Sequence, residues 1–263
     1  SVAPVLKPWM PGTSLHSRPT AGPGWPGTMA KRLEAPVARL KVMCARSMHV
    51  AVGALGKAFA QGAGHEVDFD FGTVGVLQAK LDVGETADVV ILSIPGIDKL
   101  EKAGALVQGS RRNVAKTFIA LCTREGAPKP DFSTAETFKK LLERAKAIAT
   151  SDPAVGGSAG VHLAKMFEQQ GLAPMMDGKS LPQQSGVEVA KRVVEGKAEF
   201  GLTLSGEVAS VPGAVIDGAV PPPFGQNTVY CAAVMSASGA QAEGAALIAA
   251  LTAPTTKVTW SRA

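Results

Sequence analysis

Aromatic side chains are scarce, at 5% of 263 residues, with a single tyrosine. Base-stacking platforms therefore do not interleave with the lysines and arginines, which are scattered and form no block. With a formal net charge of only +5, this argues against a nucleic-acid surface. Cysteine is sparse too. Cys44, Cys122 and Cys231 each lie in an apolar run, no pair has CxxC or metal spacing, and an odd number is no disulfide framework. Three buried thiols are expected. No run of 18 apolar residues occurs, so no membrane insertion is expected, and no secretory signal is visible. There is no GxGxxG after the first strand and no GxxxxGK[ST], which removes the common nucleotide folds. A GxSxG elbow is missing as well, so a hydrolase triad has no anchor. His16, His49, His65 and His162 form neither HxxxH nor HExxH, and no metal or cofactor is expected.

What is present is a globular composition, 46% hydrophobic and 19% charged, able to bury a core. The first 28 residues are rich in Pro and Gly and lack periodicity. Residues 1–36 read as a disordered arm or an appendage added in cloning. Met29 opens "MAKRLEAP" and is a candidate native start, which would make the protein cytoplasmic.

From Pro36 onward strands and helices alternate. "ARLKVMCA" reads as a strand, followed by a helical stripe at Met48, Val52, Leu55 and Phe59. "EVDFDF" alternates strictly, with Val67, Phe69 and Phe71 on one face. "ADVVILS" is a continuous apolar run, as in a strand buried on both faces. Pro95 suits the first turn of the next helix. "TFIALCT" is a strand, and "STAE" at 133–136 has capping-box spacing before "TFKKLLERAK". The strands "AIATSDP", "AEFGLTL", "GAVIDG" and "NTVYCAAVM" follow, with helices "VHLAKMFEQQG", "VEVAKRVVEG" and "AEGAALIAAL" among them. Such alternation implies an α/β architecture with largely parallel sheets. "PPPFG" at 221–225 looks like a connector.

Four strands end in turns of small polar residues before a helix: "ARS" at 45–47, "GTVG" at 72–75, "GGSAG" at 156–160 and "QQSG" at 183–186. Each such start exposes unpaired backbone N–H groups at the positive end of a helix dipole. Singly these are ordinary caps. Converging on one point, they would make an anion site.

The order "LKVMCARSMHV…EVDFDFGTVG…GETADVVI", then "SDPAVGGSAGVHLAKMF" and "GKAEFGLT", resembles the periplasmic molybdate-binding proteins, type II solute-binding proteins of ABC transporters. The likeness runs from about Leu40 to near the C-terminus. It implies a two-lobed type II periplasmic-binding-protein fold, each lobe a mostly parallel sheet flanked by helices, with "TFIALCT" and "TVYCAAV" crossing between them. Lobe one would be 37–116 plus 230–263, and lobe two 117–229. It further implies a small anionic ligand, an ABC permease as partner, a periplasmic location and a monomer. The family's contacts carry over to Ser47, Thr73 or Val74, Ala159 and Gly186, several acting through backbone N–H. The chain ends a few residues short of the family's usual end, so a last strand is expected to be lacking.

Two departures matter. The molybdate binders usually carry Ala at Arg46 and a ligand-contacting Tyr at Leu204. A guanidinium suits a planar carboxylate through paired N–H···O bonds. The expected ligand is therefore an organic carboxylate, ringed by Ser47, Thr73, Val74, Ser158, Ala159, Gly160, Ser185 and Gly186 and paired by Arg46. The alternative for Arg46 is a pairing with Asp68 or Asp70. Some proteins similar to the molybdate binders are isomerases of unsaturated tricarboxylates such as aconitate. That chemistry needs a base, for which His49 and His162 are the candidates. A molybdate or tungstate binder is the third reading.

Overall fold

The computed structural model describes residues 37–262. The expectations for residues 1–36 lie outside the described residues.

The chain opens with β1 (Arg39–Ala45), a short 3₁₀ turn over Arg46–Met48, then α1 (His49–Ala63) and β2 (Glu66–Gly72). Met48 and Val52 of the helical stripe are buried, and Leu55 and Phe59 pack on the same core. The helix sits so close to β2 that a Cβ at Gly56 would strike the Phe69 ring. Next come α2 (Val74–Asp82), β3 (Val89–Ser93) and α3 (Ile94–Lys102). Val89, Val90, Ile91 and Leu92 are all 0% exposed, as their unbroken apolar run requires of a central strand. Pro95 lies in the first turn of α3, where a missing N–H costs nothing.

The strand β4 (Arg112–Arg124) is longer than the apolar run inside it. After it come α4 (Ala135–Arg144), β5 (Ile148–Ser151), α5 (Ser158–Gln169), α6 (Ala173–Asp177), β6 (Ser180–Gln183), α7 (Gly186–Val194) and β7 (Phe200–Leu204). The chain closes with α8 (Ser205–Val208), β8 (Ala214–Ala219), β9 (Asn227–Val234), α9 (Gln241–Leu251) and α10 (Lys257–Arg262). The capping box of α4 is one residue further on than "STAE" suggests. Thr134 accepts from the Thr137 N–H and the Thr137 side chain accepts from the Thr134 N–H, while Ser133 is held by Asp131 instead.

The strands run in the order β2-β1-β3-β9-β4-β7-β5-β6, with β8 also on β4. The outer pairs β1–β2, β1–β3, β5–β6 and β5–β7 are parallel, as the alternation with helices demands. Pairs that involve β4 or β9 are antiparallel, so the sheet is mixed. One strand joins its two halves: β4 pairs with β9 from Arg112 to Phe118 and with β7 from Ile119 to Cys122. The connector after β8 is pinned by Phe224, 0% exposed, whose ring meets those of Phe138 and Phe167 at 5.1 and 6.1 Å. All three cysteines are free and buried in β1, β4 and β9. Among the described residues, no helix is long and apolar enough to cross a membrane.

Candidate functional site

The four small-residue turns meet at one cleft. Its walls come from Ala45–Ser47 after β1, Gly72–Val74 after β2, Gly157–Ala159 at the start of α5 and Gln184–Gly186 at the start of α7. Strands in parallel pairs end at the same edge of a sheet, so the turns that follow them gather there. The space between the walls, its open mouth and the solvent in it included, is ≈ 370 Å³. The N-terminal ends of α2, α5 and α7 line this cleft, and their helix dipoles favour negative charge there.

Eight of the nine expected ligand residues line this cleft: Arg46, Ser47, Thr73, Val74, Ser158, Ala159, Ser185 and Gly186. Gly160 does not. It packs against the end of β5, where an added Cβ would lie 2.6 Å from the Ser151 carbonyl oxygen, and it borders a separate groove. Several side chains are committed to the protein itself. Thr73 Oγ1 donates to the Val155 carbonyl at 2.7 Å and caps α2 by accepting from the Val76 N–H. Ser185 caps α7 by accepting from the Glu188 N–H. Ser47 differs: its Oγ is buried and makes no well-formed hydrogen bond. It lies near enough to the Tyr230 hydroxyl to pull that group's pKa down, but a buried hydroxyl so poorly bonded is costly, and this one lies at the cleft wall.

Arg46 does not pair with Asp68 or Asp70. Asp68 is taken by Arg39 at 2.6 Å and Asp70 by Lys80 at 2.7 Å. The Arg46 guanidinium instead donates from Nη2 to the Phe71 carbonyl at 2.9 Å. That bond anchors one edge at the end of β2 and leaves the side chain half-buried along the cleft.

Neither histidine offered as a base lines the cleft. His49 lies in the first turn of α1, with Nδ1 2.8 Å from the Arg46 carbonyl oxygen and its ring edge-on to Phe71. His162 points from α5 toward the backbone of Pro223 and Phe224, and desolvation holds its pKa below the usual histidine value.

Two groups that sequence reasoning missed do line the cleft, Glu207 and Tyr230. Glu207 is 6% exposed. Its Oε1 accepts from the Gly186 N–H at 3.1 Å and its Oε2 from Thr203 Oγ1 at 3.3 Å. Thr203 Oγ1 also lies 3.0 Å from Ser151 Oγ. Burial pushes the Glu207 carboxyl above the usual range, while the Gly186 and Thr203 bonds and the charge of Arg46 pull it back. Gly186 must be glycine for this approach, because a Cβ would collide with Thr203 Oγ1 and the Glu207 carboxyl. Tyr230 is the chain's one tyrosine and is 1% exposed. Its hydroxyl lies 3.3 Å from Ser158 Oγ, and burial pushes its pKa up to about 12. Leu204, where the molybdate binders place a tyrosine, supplies only an apolar wall.

The backbone also meets across the cleft. Gly75 and Gly156 face each other so closely that a Cβ on either would lie 2.8 Å from the other's Cα. Gly156 has φ +68°, a conformation open to glycine.

The chain resembles known proteins at two levels. It is 30% identical over 211 residues to an aconitate isomerase from Pseudomonas sp, a match covering 77% of this chain and 78% of that one. In structure it resembles the periplasmic molybdate-binding protein of Azotobacter vinelandii (TM-score 0.69, 19% identity, 85% of this chain and 96% of that one). It resembles the sulfate-binding protein of Mycobacterium tuberculosis H37Rv to the same degree (TM-score 0.69, 17% identity, 85% of each chain). These structural likenesses show the two-lobed type II periplasmic-binding-protein fold. Residues 40–263 match the bacterial extracellular solute-binding proteins, and the chain belongs to that family.

Proposed function

We propose that the cleft captures a small organic carboxylate between two lobes and that the chain serves as the binding component of an ABC importer outside the cytoplasm. The observation that carries this reading is Arg46. It reaches the cleft, its neighbouring acids are paired elsewhere, and among the described residues its guanidinium is hydrogen-bonded to one carbonyl. A compact oxyanion can be bound by neutral donors alone, whereas a fixed guanidinium matches the plane and charge of a carboxylate. Ser47 Oγ, buried and without a well-formed hydrogen bond, is a second donor for the same ligand. The lobes would be 37–116 with 230–263, and 117–229. The change of β4's partners between Phe118 and Ile119 supports a hinge near that point.

A second reading, that the chain isomerises its carboxylate, is favoured by a different observation. Glu207 and Tyr230, both able to hold or give up a proton, line the cleft, and a 30% identical relative is an aconitate isomerase. Moving a double bond along a tricarboxylate breaks a C–H bond on the methylene beside one carboxylate. It forms another at the far allylic carbon, with the proton carried by an acid–base group.

A thermal-shift panel tests the choice of ligand: cis-aconitate, trans-aconitate and citrate against molybdate and sulfate. A ligand at 100 times its Kd adds about 2.7 kcal/mol, which moves Tm by several degrees. Stabilisation by carboxylates alone supports the reading, and stabilisation by molybdate alone contradicts it. Proton NMR of the bound carboxylate in D₂O then separates capture from turnover.

A further inference from the structure

Among the described residues that line the cleft, Arg46 is the only cation and Glu207 the only carboxylate. If both are charged they cancel, and an arriving anion finds no net charge beyond the helix ends. It also meets a like charge held in the wall. Two carboxylates sharing one site do not both stay ionised. The wall is built to receive the proton. When Glu207 is protonated on Oε2, that hydroxyl donates to Thr203 Oγ1, and Thr203 donates on to Ser151 Oγ, while Oε1 keeps its bond from the Gly186 N–H. Rotating the two hydroxyls reverses the chain for the ionised form. Ser151, Thr203 and Glu207 are all buried.

We propose that Glu207 sets the charge the cleft accepts: it holds a proton whenever an anion occupies the cleft, so that binding takes up one proton from solvent. This rests on the reading of the cleft as an anion site. It gives the cleft a preference for ligands whose charge Arg46 alone can meet. It also makes Glu207 the group that carries a removable proton beside the bound anion.

The elements packed against α8 carry several other charged groups. They are Glu188, Lys191 and Arg192 on α7, Arg112, Lys116 and Arg124 on β4, and Asp217 on β8. Only Arg46, in the turn before α1, acts on the Glu207 carboxyl. Tyr230, on β9, senses Glu207 in turn but ionises far above neutral pH. Burial also raises the proton affinity of the carboxyl in the free protein.

The test is calorimetric titration of the full chain with cis-aconitate, citrate and molybdate, in two buffers of different ionisation heat, from pH 6 to 9. The expected result is uptake approaching one proton per anion at the high-pH end, where the ligands are fully ionised. Apparent affinity should fall about tenfold per pH unit there. Glu207→Gln keeps an acceptor for the Gly186 N–H and should bind with no uptake and a flat pH profile. Binding by the native protein without proton uptake at any pH overturns the proposal, as does uptake that persists in E207Q. If E207Q fails to fold, the two-buffer measurement on the native protein decides alone. Absence of binding heat from all three anions is a distinct result, which overturns the anion reading and this proposal with it.

Discussion

Two side chains of opposite charge face the cleft and are held in opposite ways. Arg46, at its mouth, sits on a short turn, half-buried, with one hydrogen bond to a backbone carbonyl. Glu207, in its wall, is buried and fixed by two donors from two different elements. A guanidinium keeps its charge under nearly any conditions, so a single anchoring bond at the rim suffices. A carboxyl removed from water stays ionised only with donors around it, and even so its proton affinity rises. The mouth thus offers a permanent charge and the wall a conditional one.

Breaking the mouth should have the largest effect on binding. Arg46→Ala removes roughly 3 kcal/mol of charge-assisted hydrogen bonding to a carboxylate, so its Kd should rise about a hundredfold in calorimetry. Tm should barely move, because the side chain is half-exposed. Breaking the wall should do the reverse. Gly186→Ala forces a Cβ into Thr203 and Glu207 and should cost about 3 kcal/mol of stability by overpacking, read as a melting point lower by several degrees.

Smaller changes sharpen the contrast. Ser47→Ala deletes one donor and should weaken the ligand about tenfold, from roughly 1.5 kcal/mol. It should destabilise the free protein little, since the hydroxyl makes no well-formed hydrogen bond and only approaches Tyr230. Glu207→Gln should change how stability depends on pH. The folded carboxyl has a raised pKa, so its favourable contribution is complete below the unfolded value near 4.5. That contribution is lost as pH rises through the folded value. Melting curves of the native protein should therefore lose ground to E207Q as pH climbs above the unfolded value. The smallest effects belong to His49→Gln and His162→Gln. Neither ring lines the cleft, and carboxylate Kd should stay within about twofold of native.

The mouth was legible in the sequence and the wall was not. An apolar strand, a small corner and a helical stripe at Met48, Val52, Leu55 and Phe59 place Arg46 and Ser47 at a helix entrance by periodicity alone. The turns at 72–75 and 156–160 show the same pattern. Glu207 stands in α8, four residues long, too short for any period to reveal which way it faces. Its burial depends on Gly186, more than twenty residues earlier in sequence, yielding space. Tyr230 lies in β9, whose run "VYCAAV" is covered on both faces and carries no alternation. The short edge strand β6, "SLPQ", contains a proline and also escapes pattern reading. Gly160 lies off the cleft for a related reason. Helical rotation turns it from the cleft toward β5, although it follows directly on Ser158 and Ala159, which line the cleft.

The central claim is that a fixed guanidinium makes this cleft a carboxylate site. The most direct measurement is parallel titration of the native protein and Arg46→Ala with cis-aconitate and with molybdate. The account predicts that the native protein binds cis-aconitate and that R46A loses about a hundredfold while remaining folded. Tight molybdate binding that R46A leaves unchanged, with no cis-aconitate binding by either protein, would contradict it.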